Sequence, residues 1–224
     1  MGASTQRVFV IVALCVAVIF VAQRVNSGAG FAASGEPEIS EEQRAATLHF
    51  APAVTAEDQA WIRAAIVAAR PEAQVLIGEV DGFVEIRTDL IGEQAVATAQ
   101  MDGDKATISL NLIALNGDRA IDRNVAVLHE FGHIVDFLLV DDALIGQLDA
   151  GIPRLGTCTD ASAGAFGPCT AVEERFAETF AKWSLSGRVS IAGDGYGIPT
   201  PASLEDWGAP LGLQAARLTV EARD

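Results

Sequence analysis

Residues 121–140, IDRNVAVLHEFGHIVDFLLV, place apolar side chains at helical spacing (Val125, Leu128, Ile134, Val135, Leu138, Leu139) and set two histidines among them. Recurrence at three and four residues predicts a long, largely buried helix. On a helix, positions i and i+4 share one face about 6 Å apart, so His129 and His133 stand one above the other, with Glu130 beside the first. Two imidazoles and a carboxylate on a buried stripe need partners, because an unpaired polar group out of water costs about 1–3 kcal/mol. A metal ion supplies such a partner. The fold must therefore bring further ligands to this helix.

The HExxH spacing suits zinc, which takes imidazole nitrogen at about 2.0–2.1 Å and uses three protein ligands in catalytic sites. Glu130 is placed to reach a zinc-bound water without binding the metal. It can take the water's proton as it attacks a carbonyl and return it to the leaving amine. The remaining histidine, His49, lies eighty residues before His129 with no motif around it and is expected to be a packing or surface residue. Better third ligands occur in AVEERFAETFAKWSLS, residues 171–186, which predicts a second helix ended by Gly187. Glu174 and Glu178 share a face of that helix, whereas Glu173 points about 100° away and is expected in solvent. A carboxylate one turn beyond a ligand carboxylate can accept the free ring N–H of a ligand histidine. Asp136, three residues past His133, is placed either to orient a ligand histidine or to meet solvent.

HEFGHIVD followed about forty residues later by EERFAETFA resembles the gluzincin metallopeptidases. Among these it is similar to the catalytic domain of anthrax lethal factor and its relatives, with their HEFGH helix and downstream ExFFAE-like helix. The resemblance covers roughly residues 75–186 and is concentrated in the two helices. It implies an α+β, zincin-like domain with a small antiparallel or mixed sheet, its active-site helix packed on a second ligand-bearing helix. It implies one zinc ion per chain, held by His129, His133 and Glu174, with Glu130 as general base and Glu178 as an acid behind the ligands. It also implies a protein or peptide substrate lying along an edge strand, for which KATISLNL, residues 105–112, is the candidate. The family's tyrosine seven residues before the ligand glutamate is replaced here by Gly167. Tyr196, the chain's one tyrosine, is the remaining candidate to stabilise an oxyanion from the GDGYGIP segment.

Thirty acidic residues against 15 basic ones exclude the clustered positive charge that nucleic-acid binding needs. Val8–Ala22 is an unbroken apolar run of 15 residues behind Arg7, short of the about 20 that a single membrane span requires. It matches the apolar region of a secretory signal, with Cys15 as one more small apolar side chain. Residues 1–32 thus read as a cleaved leader or a retained anchor, the only contact with a membrane that is expected. Residues 33–54 read as a linker and early irregular segment, and residues 55–224 as the catalytic domain, expected to be monomeric. That domain is expected outside the cytoplasm, secreted or held on the outer face of the cytoplasmic membrane. There Cys158 and Cys169, flanking TDASAGAFGP, would close as a disulfide contributing about 2–4 kcal/mol.

Further elements follow from local pattern. A helix is expected from Thr55 or Asp58 to Arg70, closed by Pro71. VLIGEV and FVEIRTD flank Asp81-Gly82 as a hairpin, and AVATAQ and KATISLNLIAL form a second one around Met101–Asp104. Residues 75–112 are expected to be a small antiparallel sheet. Residues 141–170 are expected to be loop, and Leu204–Trp207 and Leu211–Leu218 short helices. Trp61, Trp183 and Trp207 are expected in packing. The chemistry points to a zinc-dependent endopeptidase, with two alternatives: a zincin-fold domain that binds without catalysis, and a zinc hydrolase of a non-peptide amide such as a cell-wall bond.

Overall fold

Thr55 opens the first helix, α1 (Ala56–Val67), by accepting the Asp58 amide on its hydroxyl at 3.1 Å. The computed structural model describes residues 48–90, 95–103, 105–116, 122–154, 170–188 and 197–222. Among the described residues, a four-stranded sheet and seven helices form an α+β fold.

Pro71 begins the next helix, α2 (Pro71–Val80), as its first residue, where a missing N–H costs nothing. VLIGEV, expected as a strand, therefore lies in α2. Ala73, Leu76, Ile77 and Val80 are its buried residues, a three-and-four spacing that emerges only when residues before Val75 are included. Asp81–Phe83 is a single 3-10 turn leading into a strand, so Asp81-Gly82 makes no hairpin.

The strands are β1 (His49–Phe50), β2 (Val84–Arg87), β3 (Ala97–Asp102) and β4 (Lys105–Leu110), in the order β1-β2-β4-β3. The β3–β4 hairpin forms as expected, with Asp102 opposite Lys105 and Gly103 at φ +66°. The sheet is nevertheless mixed, because β4 returns from the hairpin into the interior and pairs parallel with β2, which pairs parallel with β1. KATISL is thus no edge strand. Its Ala106, Ile108 and Leu110 are buried, and the antiparallel edge is β3. Leu112–Asn116 is a short helix, α3, whose preceding Asn111 caps it through Oδ1 to the Ala114 amide at 3.2 Å. Leu48 and Val54 are buried in the core, so residues 48–54, expected in the linker, belong to the folded unit.

Asp122 caps α4 (Arg123–Leu139) through the Asn124 amide at 2.8 Å. Residues expected as loop contain α5 (Asp142–Ala150), capped by Asp141. Then come α6 (Val172–Ser184) and α7 (Leu204–Glu221). The last is one helix running through Pro210 where two short ones were expected. Burial of Trp207, Leu211 and Ala215 on one face sustains it across the proline. α4 lies at the centre, packed most extensively on α6 and also on α1, α2 and the sheet. Trp183 and Trp207 meet edge to face at 6.5 Å, and Trp207 donates to the Leu148 carbonyl at 3.0 Å, which makes both of them core residues as expected. Among the described residues no helix is long and apolar enough to cross a membrane. The Val8–Ala22 run, Cys15, Cys158, Cys169, Gly167 and Tyr196 lie outside the described residues.

Candidate metal centre

The centre is built where α4 crosses α6. A Cβ added to Gly132 would lie 2.9 Å from the Ala177 Cα and 3.2 Å from its carbonyl oxygen, so the two backbones touch at this point. His129 and His133 flank Gly132 on one helix, and Glu174 and Glu178 flank Ala177 on the other. The crossing therefore aims all four side chains into the same space.

His129 Nε2 lies 3.2 Å from His133 Nε2 and 3.2 Å from Glu174 Oε2, and His133 Nε2 lies 3.7 Å from the same oxygen. Ligands on a tetrahedral ion with bonds of about 2.0–2.1 Å are separated by about 3.3 Å. The three atoms thus mark one face of such a tetrahedron, and the His129, His133, Glu174 group could hold a metal ion. Two imidazole nitrogens and a carboxylate oxygen converging this closely offer a site that a metal ion or a proton on an imidazole can fill.

Without a metal, the cluster holds together through protonated imidazole and ionised carboxylate. Burial alone would lower His129, but the Glu174 and Glu178 carboxylates outweigh it and push the imidazole up to about 10. Burial would raise Glu174, yet hydrogen bonds with His129 and His133 hold it far below the usual carboxylate range. Glu130 is buried, and burial raises its carboxyl, with the two imidazoles pulling the other way.

Behind the three candidate ligands, Glu178 is 2% exposed and points Oε2 at His129 Nδ1, 3.4 Å away. Asp136 is buried one turn beyond His133, so the solvent-facing reading of this residue does not hold. Glu173 is exposed as expected, and His49 sits exposed in β1, outside the cluster. Two buried cations on α6 escaped sequence reasoning. Arg175 donates to Asp149 Oδ1 at 2.6 Å and to the Ile152 carbonyl at 2.9 Å, pinning α6 to the end of α5. Lys182 donates to the Ile198 carbonyl at 2.7 Å and lies 3.5 Å from Glu178 Oε1. The available signal was their place among the apolar residues of α6, where an unpaired charge is not tolerated. An open groove of about 350 Å³ between α5 and α7, lined in part by Gln147, Gly151, Ser203 and Asp206, shares no residue with the cluster.

No protein-family model matches the chain, and no curated protein or solved structure is similar to it.

Proposed function

We propose that the chain is a zinc-dependent endopeptidase acting outside the cytoplasm, its domain zincin-like. The observation that carries this reading is the triangle of His129 Nε2, His133 Nε2 and Glu174 Oε2 with edges of 3.2, 3.2 and 3.7 Å, beside a buried Glu130 that is no part of it. A bound zinc ion supplies a Lewis acid that polarises the substrate carbonyl and acidifies water. Glu130 removes the proton from the attacking water and delivers it to the departing amine. Glu178 holds the His129 ring by accepting from Nδ1, which leaves Nε2 as the ligand atom. The free edge of β3, which packs on α4, offers backbone groups to an extended peptide. It takes the role first expected of residues 105–112. Tyr196 remains the proposed oxyanion partner.

A second reading, a metal-binding domain without catalysis, is favoured by one sequence observation, Gly167 where the resembling family has its tyrosine. One experiment separates the two. The full-length protein is assayed for zinc content and for cleavage of an unfolded protein substrate, beside Glu130→Gln. The peptidase reading expects one zinc in each form and cleavage by the native chain alone. Zinc in both with cleavage by neither overturns the peptidase reading.

A further inference from the structure

Lysine is scarce here: the chain has two, Lys105 and Lys182, against thirteen arginines. Lys105 is exposed, but Lys182 is 6% exposed on the inward side of α6, one turn past Glu178. Burying an ammonium is costly unless it is paired and hydrogen-bonded, and a position that only fills space would be served by leucine or methionine. Both ends of the pairing are present. Nζ donates to the Ile198 carbonyl at 2.7 Å and lies 3.5 Å from Glu178 Oε1, whose sister oxygen faces His129 Nδ1 at 3.4 Å. Arg175, the other buried cation among the described residues, is engaged by Asp149. Lys182 is therefore the buried ammonium that faces Glu178.

We propose that Lys182 is a positioning residue for the metal centre, acting through Glu178. It holds one carboxylate oxygen and so directs the other to His129 Nδ1, which fixes the rotation of that ring and keeps Nε2 on the ion. Its bond to Ile198 ties the segment beginning at Gly197 to the same chain of contacts. This inference rests on the metal-centre reading and adds a residue that touches neither ion nor substrate.

The test is zinc affinity, read by chelator competition on the full-length protein, in a cycle of Lys182→Met, Glu178→Gln and the double variant. Substitution of groups that orient a metal ligand weakens binding about 10- to 100-fold. Lys182→Met is expected to weaken zinc binding about tenfold in the native background and to cause no further loss once Glu178 is glutamine. Undiminished affinity, or an equal loss in both backgrounds, overturns the proposal, since a purely structural lysine would act independently of Glu178. A native chain that takes up no zinc overturns the metal-centre reading itself. A readout without substitution covers the case in which Lys182→Met does not fold. With 15N-lysine the protein has two Nζ groups, and the buried one is expected to shift on addition of zinc while Lys105 does not. A buried signal that stays in place counts against the relay.

Discussion

At Glu130, burial works to keep the carboxyl protonated while the neighbouring imidazoles favour its ionised form, the balance a group needs if it is to take up and release a proton in each cycle. Glutamine keeps the shape and loses the base. Glu130→Gln is expected to lower peptide hydrolysis about 100- to 10,000-fold with zinc still bound at one per chain; zinc lost along with activity would make Glu130 a structural element of the centre. The metal-free cluster also makes a pH prediction. His129 is raised from 6.5 to about 10, so its contribution to stability is complete below pH 6.5 and disappears as the pH climbs through the folded value. Glu174 is held below its ordinary 4.5, so its contribution is present above pH 4.5 and is lost on acidification. Glu130, raised by burial from 4.5, loses its own contribution as the pH rises above that value. Metal-free protein should therefore be most stable under mildly acidic conditions, with urea midpoints declining from pH 6 to pH 9. Saturating zinc, which takes the place of the proton, should flatten that decline. Equal midpoints across this range in the metal-free form would contradict the cluster's electrostatics.

At the scale of elements, the crossing of α4 and α6 depends on Gly132. The atoms a new Cβ would meet are Ala177 backbone atoms at 2.9 and 3.2 Å, which cannot swing aside as a side chain can. Gly132→Ala is expected to destabilise the fold by about 1–3 kcal/mol, as overpacking does, and to weaken zinc binding by parting His129 and His133 from Glu174. Denaturant titration and chelator competition on the same variant check both effects; unchanged zinc affinity would mean that the helices tolerate separation. The two helices themselves were legible because their apolar spacing runs for more than three turns and their ends carry caps or a glycine. Shorter elements were not. Val75–Val80 alone reads equally well as a strand, and Pro71 reads as a terminator until the helix it begins is seen. KATISL was correctly read as a strand but not as an interior one, since the hairpin it forms with β3 is compatible with either placement.

For the whole molecule, a metal held by His129, His133 and Glu174 would join two helices separated by more than thirty residues, so occupancy should register in global stability. At free zinc a thousandfold above its Kd, binding contributes about 4 kcal/mol. Chelation is then expected to lower Tm by about 8–16 °C for a domain of this size, and an unchanged Tm would show that the centre is not metal-stabilised. The buried charges on α6 show what lies beyond local reading. Glu174, Glu178, Arg175 and Lys182 all stand in one amphipathic stretch; the shared face and the resemblance single out the two glutamates, but nothing in the sequence says that Arg175 pins a neighbouring helix or that Lys182 meets Glu178 and Ile198. His129, Glu130 and His133 could be singled out from the chain alone because helical geometry by itself puts the two imidazoles together and makes a shared cation the natural partner. Partners of Arg175 at Asp149, of Lys182 at Ile198 and of Gly132 at Ala177 come from other parts of the chain. They exist only because packing the apolar faces brings those backbones together, and so only the tertiary structure decided them.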